Sequence, residues 1–235
     1  MVPIIIISFN NYKYVDNTIK QLIQINPTLE PFLIIMDNAS QDPDTKEYLK
    51  NTTVRVIFNS YNNGPWITSS RNTHVFNELP EKFIITDPDF QFNAKMPANF
   101  IEIMLMLSDK YNTDKIGLAI SLENPEKMYQ DVYCAGKTIV EWETQLWQNR
   151  IKDPEYELYN AAIDTTFCLI NKSNISNLHI RIAGNFTAVH LPFYIENPIL
   201  TLDEEYKMYE YSKFSTISKL VKLKYEKMKN ISTDK

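Results

Sequence analysis

The chain begins with an unbroken apolar run, "PIIIISF" (residues 3–9), and then changes period. In "YKYVDNTIKQLIQI", Val15, Thr18, Ile19, Leu22 and Ile23 recur at helical spacing. "FLIIMD" (residues 32–37) repeats the first kind of segment and "DPDTKEYLK" the second. "VRVIF" (residues 54–58) precedes a helix-like stretch around residues 67–76, and "KFIIT" (residues 82–86) closes the series. A strand covered by helices above and below shows no polar face. Continuous apolar strands alternating with helices therefore predict βαβ units and a parallel sheet buried on both sides.

The second half is less regular. "FIEIMLMLSDKY" (residues 100–111) reads as an amphipathic helix and "KIGLAI" as a strand. "KTIVEWE", "TTFCLIN" and "FTAVHLPFY" read as further strands that need not run parallel to the first four, and from Asp203 the pattern becomes strongly helical. With no internal repeat and no Pro/Ser-rich linker, a single domain over residues 1–235 is expected. It divides into an α/β half (1–95), a mixed half (96–202) and a helical tail (203–235).

Composition narrows the function. A net charge of -5 argues against a general nucleic-acid binder. Cys134 and Cys168 are too few and too far apart for a disulfide framework or a zinc cluster, and read as reduced core thiols. "MVPIIIISF" lacks a basic start and a small-residue cleavage site, so it reads as a strand and not as a signal peptide. No run is long enough to span a bilayer, and a cytoplasmic protein is expected. With only 4 glycines, neither G-x-G-x-x-G nor a P-loop is present, so any nucleotide must be held by another device.

Ligands of open parallel sheets collect beyond the carboxyl ends of the strands. Those ends carry Ser8-Phe9-Asn10-Asn11, then Asp37-Asn38-Ala39-Ser40 with Asp42, then Asn59 leading through "SYNNGPW" to Trp66, and finally Asp87-Pro88-Asp89. Turn and cap chemistry accounts for part of this, and Asp42 ahead of Pro43 reads as a helix N-cap. Asp87 and Asp89 crowd two carboxylates at one sheet end, which is unfavourable unless solvent or a cation relieves it. Mg²⁺ or Mn²⁺, which pair one or two carboxylates with substrate phosphates, would suit such a site. Asp-Pro-Asp alone also makes a good turn.

Taken in order, S-F-N, "DNASQD", "NNGPWITSSRN" and D-P-D resemble the nucleotide-sugar-binding half of GT-A fold glycosyltransferases, particularly family-2-like ones, over roughly the first 95 residues. Those enzymes show P-T-Y-N, V-D-N-G-S-x-D, N-x-G-x-x-x-A-R-N and D-x-D at similar spacing. The short chain and its "HLPFY" are also similar to small GT-A enzymes of large algal DNA viruses, which would place it in host cytoplasm. The resemblance implies a GT-A-like (Rossmann-like), mostly parallel central sheet flanked by helices, with a mixed second half and a C-terminal helix. It further implies a UDP-sugar donor, a glycan or glycoconjugate acceptor, and Mn²⁺ or Mg²⁺.

Residue by residue, the resemblance implies that Asp37 accepts from uracil N3–H, while Ser8, Phe9 and Asn10 line base and ribose. Asn63 and Trp66 would flank the nucleoside, with Gly64 allowing close backbone approach. Arg71 would stand near the diphosphate or hold Asp87; Asp87 would contact ribose or metal, and Asp89 would bind the metal. Ser8 for Thr, Ala39 for Gly and Ser-Ser-Arg-Asn for Ala-Arg-Asn are departures from the family pattern.

In the second half His190 is read equally as a metal ligand and as a core histidine. Asp164 fits a general base on the acceptor hydroxyl, or a cap with Thr165. Glu141 and Trp142, with Glu143 and Trp147 beside them, offer carboxylates and aromatic faces to an acceptor sugar, although core packing also explains the tryptophans. Lys213, Lys219, Lys222, Lys224, Lys227 and Lys229 would let the C-terminal helix touch an anionic membrane weakly, or mark a solvated helix end. Two other readings stay open. One is a nucleotidyltransferase, for which "SFNNYKY" lacks the Gly-rich basic loop; the other is a non-catalytic nucleotide- or sugar-binding module.

Overall fold

The computed structural model describes residues 1–68, 70–210 and 217–233, with the side chains of 210 and 229–233 excepted. Its elements are β1 (Ile4–Ser8), α1 (Tyr12–Ile25), β2 (Leu33–Asp37), α2 (Pro43–Asn51), β3 (Arg55–Phe58), α3 (Thr73–Glu78), β4 (Lys82–Thr86) and β5 (Phe90–Phe92). They continue with α4 (Phe100–Lys110), β6 (Lys115–Ile120), α5 (Ile139–Thr144), β7 (Arg150–Ile151) and β8 (Leu158–Asn160). Then come β9 (Cys168–Asn171), β10 (His179–His190), α6 (Leu202–Glu210) and α7 (Ile217–Thr233).

One 10-stranded sheet runs in the order β3-β2-β1-β4-β9-β6-β10-β8-β7, with β5 on β10. β1 to β4, β6, β7 and β10 point one way, so the sheet is mostly parallel; β5, β8 and β9 are antiparallel insertions. The isoleucine run explains itself in this frame. Ile4 and Ile6 pack on one face with Val15 and Leu22 of α1, while Ile5 and Ile7 pack on the other with Val75 of α3. Helices cover both faces, as the pattern requires.

The chain winds outward from β1 through β2 to β3 and returns to place β4 on the other side of β1. This reversal opens a crevice beyond the carboxyl ends of β1 and β4, where Ser8 and Thr86 are followed by the polar loops. Asp42 caps α2, accepting from Thr45 N–H at 2.9 Å with Pro43 behind it.

Two segments depart from expectation. "KTIVEWE" is not a strand: Thr138 and Glu141 form a reciprocal capping box that starts α5, and T-x-x-E satisfies two helix N–H groups a strand would leave open. Only "FTAVH" of "FTAVHLPFY" is strand: it ends β10, which runs 12 residues through an irregularity between Ile182 and Thr187, with Gly184 at φ +65, and Leu191–Phe193 then form a 3-10 turn. Residues 211–216 (Lys213 among them), 234 and 235 of the expected tail lie outside the described residues. Lys224, read above as a membrane-facing cation, is instead buried against Glu205 of α6 at 2.6 Å. Among the described residues, no helix is long and apolar enough to cross a membrane.

Cys168 is fully buried in β9, and burial pushes its thiol up to about 12. A maleimide at neutral pH is therefore expected to spare Cys168 in the native protein and to modify it after denaturation. Peptide mass spectrometry checks this, and native labelling at Cys168 would contradict the placement of β9.

Candidate active site

The Asp-Pro-Asp segment is held through the backbone of each of its three residues. Asp87 N–H donates to the Thr165 carbonyl at 3.0 Å, and the Thr165 hydroxyl donates to the Asp87 carboxylate. From α1, the Thr18 hydroxyl donates to the Pro88 carbonyl at 2.6 Å and Gln21 Nε2 donates to the Phe90 carbonyl at 3.0 Å. The Asp89 carbonyl accepts from Leu191 N–H at 2.9 Å. β5 pairs with β10 so that Phe90 faces His190, which brings the histidine beside Asp89. The imidazole lies between the rings of Phe90 and Phe193, at 4.8 and 4.3 Å.

Asp89 is 6% exposed. Its Oδ2 accepts from the Tyr209 hydroxyl at 2.7 Å. Its Oδ1 lies 3.2 Å from His190 Nε2, which forms an ion pair with it when protonated, and no other group hydrogen-bonds this oxygen. The charges divide accordingly. Burial, then the neighbouring Asp89 and Asp164 charges, pushes Asp87 up to about 8, against the Thr165 hydrogen bond. Burial also opposes charge on Asp89, but His190 and Tyr209 outweigh it and hold the carboxylate below its usual range. Burial opposes protonation of His190 as well; Asp89, Asp87 and Glu143 overcome it and raise the imidazole. One carboxylate thus keeps its charge while the other takes a proton, unless a cation arrives.

These groups face a cavity of about 540 Å³ at the switch point. Of the residues singled out from sequence, Phe9, Gly64, Trp66, Asp87, Asp89, Trp142, Asp164 and His190 line it together. Gly64 holds φ +79, which a side chain rarely tolerates. Trp66 reaches across the cavity, its Nε1–H donating to Asp164 Oδ1 at 2.6 Å.

Ser8, Asn10, Asp37, Asn63, Arg71 and Glu141 are not among the lining residues, and neighbours stand in several of their places. Asp37 is buried, its oxygens taken by Ser40 N–H at 3.0 Å and the Ser40 hydroxyl at 2.5 Å, and burial raises its pKa. Asn38 faces the cavity instead, donating to the Gly64 carbonyl at 3.0 Å and accepting from Asn59 at 3.0 Å. Asn10, at φ +55, turns its Oδ1 to Gln41 N–H and Asp42 N–H at 2.7 and 2.9 Å, and Asn11 lines the cavity. Ser8 is buried at the end of β1, Arg71 is exposed, and Asn62 replaces Asn63. Glu141 closes the capping box, accepting from Thr138 N–H at 2.8 Å, and leaves Glu143 to face inward.

Sequence reading missed Arg181, Tyr209 and Gly117. Glu143 pairs with Arg181 of β10 at 3.3 Å, both buried, and Arg181 Nε–H donates to the Ala162 carbonyl at 2.9 Å. An arginine within the apolar alternation of "HIRIAG" was the available signal. Tyr209 lies 120 positions from its partner, with no local mark. Gly117 of β6 lets residues 163–166 lie against the sheet, since a Cβ there would meet Ile163 Cγ2 at 2.9 Å and the Thr166 carbonyl at 3.0 Å. Trp147 packs on Tyr159 at 5.2 Å.

A family model described as Glycosyl transferase family 2 matches residues 4–117, just under half of the chain. Among curated proteins none matches. Among solved structures, GalNAc-T7 with UDP, GalNAc and Mn²⁺ is similar over 91% of this chain and 49% of its own, at 13% identity and a TM-score of 0.51. The mannosyltransferase PcManGT of Pyrobaculum calidifontis, in complex with GDP-Man and Mn²⁺, covers 89% and 61% at 10% identity, with a TM-score of 0.48. S. aureus TarS 1-349 covers 73% and 47% at 15% identity, with a TM-score of 0.41. The chain spans between 47% and 61% of the length of these proteins. The fold is GT-A.

Gly117→Ala is expected to displace the segment that carries Asp164 and Thr165, at a cost of about 1–3 kcal/mol from overpacking. Urea denaturation measures the loss, and parental stability would show that this close approach matters little.

Proposed function

We propose that the chain transfers a sugar from a UDP-sugar to a hydroxyl of a glycan or glycoconjugate acceptor, with Mn²⁺ or Mg²⁺ bound at Asp89 and His190. One observation carries this: at the wall of the cavity a buried carboxylate oxygen, Asp89 Oδ1, and an imidazole nitrogen, His190 Nε2, stand 3.2 Å apart, and Oδ1 has no other polar partner. Among the described residues, no three His, Cys, Asp or Glu side chains converge to hold a metal. That suits a cation which takes one or two protein ligands and completes its shell with diphosphate and water. When bound, the ion neutralises charge on the departing diphosphate.

The protein's own groups then divide the work. Phe9 and Trp66 flank the nucleoside and the Gly64 backbone approaches it closely, held in place by Asn38 at its carbonyl and by Asn62 at its N–H. Asp87, close behind Asp89, is placed for ribose or for the metal. Asp164, oriented through Oδ1 by the Trp66 indole, takes the proton from the acceptor hydroxyl. As it does so, the acceptor oxygen bonds to the anomeric carbon and the bond to the diphosphate breaks. Trp142 and Glu143 offer an aromatic face and a carboxylate to a sugar ring.

At a hundred times its dissociation constant, UDP is expected to raise the melting temperature by roughly 5–10 °C when Mn²⁺ is present and not without it. Asp89→Ala removes the response while the free protein stays folded. A metal-independent shift would favour a binding module, and a shift with nucleoside triphosphates alone a nucleotidyltransferase.

Asp164→Asn preserves an acceptor for the Trp66 indole and removes the base. Transfer is expected to fall by about 10²-fold or more while the thermal response to UDP persists. Parental turnover in a donor-consumption assay would take Asp164 out of the chemistry.

A further inference from the structure

Tyr209 is 8% exposed, and its hydroxyl donates to Asp89 Oδ2 at 2.7 Å. We propose that Tyr209 is a positioning residue: by occupying Oδ2 it turns Oδ1 alone toward the cation and makes Asp89 a one-oxygen ligand. This rests on the metal reading given above.

The geometry is that of a carboxylate steered from behind. An ionised carboxylate has two equivalent oxygens and rotates freely unless one is held. Here one oxygen accepts from a phenol, and the other is buried with His190 Nε2, 3.2 Å away, as its polar neighbour. Groups that hold a ligand from behind set its orientation, and removing one typically weakens metal binding by about 10–100-fold.

The support continues behind Tyr209. Glu205, one turn earlier on α6, accepts from Lys224 of α7 at 2.6 Å and from Asn197 Nδ2 at 3.3 Å. Lys224 also donates to the Tyr194 carbonyl at 3.1 Å, four residues past His190. One buried ammonium therefore ties together the helix that presents Tyr209 and the segment that leaves His190. A buried ion pair is a poor source of stability compared with apolar packing of the same volume. It is a good means of fixing two elements in one relative position. The C-terminal helices thereby form the frame of the Asp89 and His190 pair.

The test is titration of Mn²⁺ into the full chain with UDP present, following free Mn²⁺ by electron paramagnetic resonance. Tyr209→Phe should bind Mn²⁺ about 10–100-fold more weakly, and its turnover should recover as Mn²⁺ is raised. Loss of packing alone would lower the melting temperature and leave the Mn²⁺ affinity unchanged, so an affinity within twofold of the parent overturns the proposal. Asp89→Asn in the same titration separates the two claims: if it binds Mn²⁺ as the parent does, the metal reading itself fails. Should Tyr209→Phe not fold, 3-fluorotyrosine at position 209 keeps both ring and hydroxyl. Its ¹⁹F resonance should then broaden when Mn²⁺ and UDP are added, and a resonance that stays sharp at saturating Mn²⁺ also overturns the proposal.

Discussion

Two carboxylates buried together at the end of a sheet cannot both stay charged without a countercharge, and the arrangement around the cavity answers that constraint. Asp87 sheds its charge, with burial and the nearby Asp89 and Asp164 raising it to about 8. Asp89 keeps its charge because His190 and Tyr209 stand against it. Each partner comes from a distant part of the chain: β5 and β10 pair to deliver the imidazole, and α6 delivers the phenol. α1 contributes no charge but fixes the backbone on both sides of Asp89 through Thr18 and Gln21. In the proposed reaction the same pressure makes the site receptive to a divalent ion, which supplies the countercharge that the apolar surroundings withhold.

The sheet makes such crowding tolerable. Three parallel strands buried on both faces, β1, β2 and β4, leave only their ends for polar groups, and the reversal between β1 and β4 opens those ends into one crevice. The second half closes it from the other side. Gly117 gives up a side chain so that residues 163–166 can lie against β6, which puts Thr165 on Asp87 and Asp164 under the Trp66 indole. Arg181 ties α5 to the same segment through Glu143 and the Ala162 carbonyl.

The first half was readable because its signals are local. A strand covered on both sides is apolar throughout, and the polar residues that follow it must lie at the crevice. Which of two adjacent polar residues turns inward is not local. Asp37 and Asn38 exchange roles because Ser40 captures the Asp37 carboxylate, and Glu141 yields to Glu143 because Thr138 needs it as a cap. In the second half, β7 and β8 have two and three residues, too few to carry a period. The apolar letters of α5 suggest a strand, and its capping box makes it a helix. Lys224 looked like one more exposed lysine of a basic helix, since its partner Glu205 belongs to another helix. Tertiary pairing decided each of these cases.

The central claim is that Asp89 and His190 share a divalent cation with the diphosphate of the donor. The most direct measurement is an anomalous difference map from crystals soaked with Mn²⁺ and UDP. The account predicts a single strong peak within coordination distance of Asp89 Oδ1 and His190 Nε2, in contact with the diphosphate. UDP bound in the cavity with no peak there, or with the metal held elsewhere, would contradict it.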